Sequence, residues 1–476
     1  MGSGKETFHL YPSNCDKSQE EWFRLSVLDL YNTQNYSTHA LIFNLQDSAK
    51  AHIIETFKHG IEATLGQCRH LVGTIRENEY GDYSIVREPE STVRFDVQWL
   101  DDYPSYTSLE KANFTGRSLG NPARLTIEGM TMACKRLPNT GPPMAAFQLN
   151  LIPGGLIFTV HQHHAALDMD GTVSLVHQIA NHCYSIVKGT APPSWNEELM
   201  DRSRFFSNVP YEKKIDPPPM PGKSQDRFPC SWLLFHLPQS KAAELKQLCA
   251  PDRSQGAWIS TYDALVAFLW RVVSKHRAQI YKQDLTQTAL FFEPVNMRSR
   301  LTPEVSKRYQ GNCLGVGSSY NRPDPLTLAD VISKAPLSRI AVYIRQMTQD
   351  ATQEALDKTV EMLGSYRRQW ALHPPLAALP PTSFVVTDWR SADMCDVDFG
   401  FGKPVAFWQL SDVVEHMMVI YPPMGSNGNA DRGVEVMLPF ETHATDMLME
   451  DVDMKRFFEF RGVESNGVPI QTNSQL

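Results

Sequence analysis

Apolar residues recur along the chain with two different periods. In DSAKAHIIETFKHGIEATLGQC, Ile53, Ile54, Phe57, Ile61 and Leu65 fall at helical intervals, and in DGTVSLVHQIANHCYSIV, Val173, Val176, Ile179, Ala180 and Cys183 do the same. STYDALVAFLWRVVSKHR predicts a third helix with Ser260 or Thr261 at its N-cap. DYSIVRE and RFDVQWL alternate with a period of two and predict strands, and HMMVIYPPM and GVEVMLPF read as two more. AAFQLNLIPGGLIFTVHQHH predicts a hairpin, two apolar strands around a Pro-Gly-Gly turn. Strands and helices mix in both halves of the chain, so the class is α/β or α+β and not a bundle or a sandwich.

The strongest punctuation lies in the middle. KGTAPPSW closes a helical stretch near Lys188, and KIDPPPMPGKSQDRFP carries five prolines between Asp216 and Pro229. Such sequence favours extended backbone. Residues 189–228 are therefore expected to form a stiff crossover laid over the surface, joining a half at 1–188 to a half at 229–476. ALHPPLAALPPTS, Ala371 to Ser383, is a second proline-rich loop. A chain of 476 residues is long for one core, which agrees with more than one domain.

Composition narrows the class further. The hydrophobic share of 42% and charged share of 21% are those of an ordinary globular protein, and a net charge of -8 argues against a nucleic-acid partner held by phosphate contacts. The eight cysteines, Cys134 among them, form no CxxC pair and are expected to be reduced, buried thiols of an intracellular protein. MGSGKETFHLYPS has no apolar stretch resembling a secretion signal, and no run approaches the ~18 apolar residues of a membrane span. GSGK lacks the GxxxxGK[ST] spacing of a phosphate loop, and the final SQL is only distantly like a peroxisomal address. A soluble, cytoplasmic protein without membrane association is expected.

FTVHQHHAALDMDG, Phe158 to Gly171, concentrates three histidines and two aspartates. A metal cage, a catalytic base with a supporting carboxylate, and a polar loop are all open to it. Strand alternation puts His161 and His163 on one face and His164 on the other, so adjacent His163 and His164 cannot easily share a metal. Asp170 is placed to cap the following helix, and Asp168 lies in the connection four residues after His164. A histidine at a strand end can face a cleft, where a near-neutral imidazole suits general-base work. HxxxD by itself is common by chance.

Further motifs lie downstream: STYDALVAFLWR (Ser260–Arg271), EPVNMRSRL (Glu293–Leu301), YQGNCLG (Tyr309–Gly315) and TDWRSADMCDVDFGFGKP (Thr387–Pro404). Together with HHxxxD, in this order, they resemble the CoA-dependent acyltransferases of the BAHD family, closest to the fungal branch with trichothecene 3-O-acetyltransferases. The resemblance runs from about residue 20 to 460. Phe401 stands where the family usually writes tryptophan in DFGWG. Met169 follows Asp168 where carrier-protein condensation domains place glycine, which favours the free-CoA group.

The resemblance implies a mixed α/β fold of two similar, chloramphenicol acetyltransferase-like domains. It implies acyl-CoA, and acetyl-CoA in this branch, as co-substrate, with no permanent cofactor and no metal. The acceptor would be a small-molecule alcohol, a hydroxyl of a specialised metabolite, and the protein a monomer. His164 matches the family's general base, and Asp168 the aspartate that pairs with an arginine and supports the catalytic turn. Arg298 is the preferred partner, with Arg300 second. Thr387 and Trp389 match the region that can stabilise the oxyanion, while Asp398, Phe399, Gly400, Phe401 and Gly402 form a structural loop. The two substrates would meet in a ternary complex. Two other readings stand beside this one: a condensation-type enzyme using a carrier-bound thioester or forming an amide, and a non-catalytic binding protein.

Overall fold

A computed structural model describes the chain except for residues 1–3, 33, 80–81, 132–135, 253–256, 373–377, 411–416, 423–431 and 466–476. Cys134, the terminal SQL and parts of the Ala371–Ser383 loop and of the GSGK stretch lie outside the described residues. A six-stranded sheet runs in the order Lys5–Leu10, Val93–Trp99, Ala145–Ile152, Gly155–His163, Tyr36–Asn44, Ala406–Gln409. A seven-stranded sheet follows the order Leu314–Ser318, Phe291–Asn296, Phe384–Asp388, Met417–Tyr421, Val434–Glu441, Cys230–Leu237, Glu459–Ser465. Both are mixed: Val93–Trp99 lies parallel to Ala145–Ile152, and Phe384–Asp388 lies parallel to both its neighbours. A small third sheet joins Glu21–Arg24, Tyr83–Arg87 and Thr74–Glu77.

Each large sheet is covered by helices whose apolar stripes it buries. Lys50–Gln67 turns in Ile53, Phe57, Ile61 and Leu65, and Met169–Lys188 turns in Leu175, Val176, Ile179 and Cys183. Thr261–Ile280 is buried nearly all round, from Ala264 to Trp270, because it sits between the second sheet and the helix Leu337–Asp350. Ser260 caps it in a reciprocal box with Asp263, which removes two orphan backbone donors. In the first sheet, Gly155–His163 is buried at every position, which explains its continuous apolar reading. The hairpin before it turns at Pro153-Gly154, where Gly154 takes φ +71°.

Three findings differ from the sequence expectations. The cap of the helix Met169–Lys188 is Asp168, not Asp170: Asp168 is extended and its Oδ1 accepts from the Gly171 amide at 2.9 Å, so Asp170 falls inside the first turn. The stretch 189–228 is not wholly superficial, since Arg202 and Phe205 are buried and Ile215 pairs with the Ser365–Arg367 backbone. Among the described cysteines, Cys15 and Cys395 are only partly buried. The strand Ala406–Gln409 comes from the second half of the chain, yet it completes the edge of the first sheet by pairing with residues 39–42.

Candidate active site

The strand Gly155–His163 delivers its histidines to different surroundings. His161 Nδ1 donates to the Met130 carbonyl at 2.8 Å while its Nε2 accepts from the Ile127 amide. His163 Nε2 lies 2.9 Å from the Arg136 carbonyl, and its Nδ1 accepts from the Ala165 amide, which fixes its tautomer and ties it to the turn it precedes. Burial pushes both imidazoles down to about 4. Each ring is thus used up by backbone groups.

His164 leaves the strand on the other side and keeps part of its surface exposed. Its amide donates to the Asn35 carbonyl at 2.9 Å, and its carbonyl accepts from Asn312 Nδ2 at 2.9 Å. Nδ1 is buried and makes no hydrogen bond among the described contacts. Burial lowers the pKa of the ring below the usual histidine range, opposed by its own carbonyl, by the charge of Asp168, by Asn312 and by Asp29. The ring is therefore neutral at physiological pH, with a proton acceptor to offer.

Asp168 turns away from that ring. Its carboxylate is fully buried and forms a two-pronged ion pair with Arg298, Nη1 to Oδ2 and Nη2 to Oδ1, both at 2.8 Å. The Cys313 amide donates to Oδ2 at 2.9 Å, and Arg298 Nη2 also reaches the carbonyls of Tyr309 and Gly311. YQGNCLG is thus the socket in which the pair sits. Arg300 does not take part; it is exposed and donates to the carbonyls of Thr348 and Ala351. Asp170 lies 4.0 Å from Arg298, and burial first, then the charge of Asp168, raise its carboxyl to about 6.

Trp389 follows the strand Phe384–Asp388 and is buried at the seam between the two large sheets, edge-on to His39 with ring centroids 5.6 Å apart. His39 is a neighbour of His164 close enough that each charge would disfavour the other, and burial takes His39 down to about 3. Thr387 is half-buried in the same strand, in register with Val419. Among the described contacts neither Thr387 nor Trp389 hydrogen-bonds to His164. The Asp398–Gly402 loop lies against the first sheet. Phe399 meets Phe43 at 5.0 Å and Phe57 at 5.6 Å, and Phe401 meets Phe43 at 5.5 Å. Asp398 Oδ1 accepts from the Gly400 amide at 2.8 Å. Gly400 takes φ +88°, and a Cβ there would come within 2.9 Å of the Tyr184 backbone, so a side chain is excluded twice.

One part of the site escaped the motif reading. Asp29, fully buried, accepts from the Asn312 amide and Nδ2, both at 2.9 Å. The S-x-x-D of SVLDLY signals its role as capping-box partner of Ser26, but nothing local shows that its other oxygen reaches residue 312. Arg202, beside it, carries no signal at all.

Residues 126–452 match the family described as the Transferase family, and residues 35–183 match a trichothecene 3-O-acetyltransferase-like N-terminal domain. The chain is 38% identical over 473 residues to acetyltransferase FGR3 of Gibberella zeae, covering 97% of this chain and 95% of that one. The structure of trichothecene 3-O-acetyltransferase TRI101 of Fusarium sporotrichioides, solved with coenzyme A and T-2, shares the fold at a TM-score of 0.73 and 22% identity, covering 92% of this chain and 100% of that one. Vinorine synthase shares it at 0.66 and 18% identity, covering 96% and 99%.

Proposed function

The chain belongs to the BAHD transferase family of acyl-transferring enzymes, and from that premise we propose that it is a CoA-dependent O-acetyltransferase acting on a hydroxyl of a specialised metabolite. Acetyl-CoA is the donor, as coenzyme A accompanies the structural relative and the 38% identical relative is named an acetyltransferase. The observation that carries the reading is the division of labour at the turn: Asp168 is consumed by Arg298, which leaves the half-open His164 as the base.

The chemistry follows from that placement. With Nδ1 buried, Nε2 is the nitrogen left to present a lone pair to the acceptor. It takes the acceptor's hydroxyl proton as the oxygen attacks the thioester carbonyl carbon. The tetrahedral oxyanion is held by Thr387 or Trp389 from the second half, a donor being worth on the order of 3 kcal/mol. Collapse breaks the C–S bond, and the imidazolium returns its proton to the departing thiolate. We assign residues 1–188 and 229–476 to the two lobes flanking the site and 189–228 to the crossover between them. The test is to incubate the protein with acetyl-CoA and a metabolite extract of the host, following free thiol and product mass. Release of thiol matched by a product heavier by one acetyl group is expected; transfer from an acyl-carrier protein but not from free acetyl-CoA would replace this reading with a condensation-type one.

A further inference from the structure

Under the turn His164–Asp168 stands a second buried cation that belongs to neither lobe's motifs. Arg202 lies in the crossover stretch and is 2% exposed. Its Nη2 donates to the Ala166 carbonyl at 3.0 Å and its Nη1 to the Met200 carbonyl at 3.3 Å, while Nε lies 3.2 Å from Asp29 Oδ2 as an ion pair off the N–H direction. Asp29 Oδ2 also accepts from the Ser26 amide and hydroxyl, at 2.9 and 2.7 Å. Its Oδ1 holds Asn312, whose Nδ2 donates onward to the His164 carbonyl and whose Oδ1 is fixed by Asn32 Nδ2 at 2.7 Å. Two arms therefore leave one guanidinium. One runs through Asp29 and Asn312 to residue 164, and the other goes straight to residue 166.

We infer that Arg202 is a positioning residue for acyl transfer: it holds both ends of the segment that aims His164, and so makes the crossover stretch part of the catalytic machinery. This rests on the acetyltransferase reading above. The Asp168–Arg298 pair fixes only the far end of the turn, where the helix begins. Among the described residues the near end has no other charged support, and Asp29 without a cation would be a fully buried carboxylate held only by neutral donors. A rigid support of this kind matters because a misplacement of about 1 Å at a reacting group costs about a hundredfold in rate.

The arrangement has an electrical signature that a merely packed arginine lacks. The charges of Asp168 and Asp29 act on His164, as do those of the His39 and His163 rings, and each carboxylate is paired in turn, Asp168 with Arg298 and Asp29 with Arg202. Removing Arg202 leaves Asp29 uncompensated and raises the His164 pKa; removing the Asp29 charge lowers it.

The experiment compares Arg202→Met, Arg202→Lys and Asp29→Asn with the wild type. Three readouts are taken: folded fraction, the pH profile of thiol release from acetyl-CoA, and the histidine NMR titration, with the His164 signal assigned by His164→Gln. In Arg202→Met, kcat is expected to fall by about tenfold or more with KM for acetyl-CoA little changed. Arg202→Lys should recover part of the loss, added guanidinium should restore part of the Met variant's rate, and the His164 titration should move up in Arg202→Met and down in Asp29→Asn. An unchanged kcat in folded Arg202→Met, or a titration that does not move in opposite directions in the two variants, overturns the inference. Should the wild type release no thiol, the acetyltransferase reading fails, while the NMR arm still decides whether Arg202 and Asp29 bear on His164.

Discussion

Three histidines within four positions acquire different chemistry from the side of one strand on which each leaves. His161 and His163 spend their nitrogens on backbone partners and stay neutral, whereas His164 keeps an exposed edge. His39, His161 and His163 have folded-state pKa values of about 3, 4 and 4, all depressed by burial. Below the unfolded value of about 6.5 the unfolded chain binds protons that the native state refuses, so this stability is present above that pH and lost as pH falls from about 6.5 toward 4. Each group contributes up to about 1.4 kcal/mol per pH unit, and together they steepen the slope to about 4. Denaturant melts at pH 7 and pH 5 should show that loss, and His39→Leu should remove about one proton from it; equal stability at the two pH values would contradict the account. Asp168→Ala strands Arg298 in a dry socket and should cost ~3–5 kcal/mol in the same assay, far more than an exposed acid would. At this scale the sequence was informative wherever a residue type has few uses. HHxxxD and the arginine of VNMRSR stand where they meet, but Arg202 meets Asp29 across 173 positions and Asp29 meets Asn312 across 283, and no local pattern records such contacts.

Secondary elements were legible where one face is apolar and one polar. The helices at Lys50, Met169 and Thr261, the hairpin around Gly154 and the strands Tyr83–Arg87 and Val93–Trp99 all follow from periodicity. The cap of Met169–Lys188 was misplaced by two residues because HAALDMDG contains two aspartates able to cap, and the choice was made by Arg298 and the Cys313 amide from the other half. The strand Ala406–Gln409 has only four residues, too few for a period, and its place beside Tyr36–Asn44 is set by the loop before it. That loop is anchored by aromatic rings. Phe399→Ala should therefore cost ~3–5 kcal/mol, and Gly400→Ala should also destabilise, since it adds the strain of a left-handed backbone to a collision with Tyr184. Thermal melts of both variants check this; a Gly400→Ala protein as stable as the wild type would remove the argument for the loop's shape.

For the whole molecule, the exchange of Ala406–Gln409 into the first sheet means that the two lobes share an edge and do not merely abut. A fragment ending at residue 228 leaves Tyr36–Asn44 as an unpaired apolar edge and should self-associate on expression, which sedimentation measures; a monodisperse, folded fragment would show that the lobes are independent. The site gathers its parts from the same sharing. His164 and Asp168 come from the first half, Arg298, Asn312 and Trp389 from the second, and Arg202 from between them. Among the described residues no helix is long and apolar enough to cross a membrane. The most direct test of His164 as the base is the rate of thiol release from acetyl-CoA in the presence of an acceptor, measured for the wild type and for His164→Ala together with coenzyme A binding and melting temperature. The account predicts a loss of about 10²–10⁴ in rate with binding and melting little altered; a His164→Ala enzyme that turns over at the wild-type rate would contradict it.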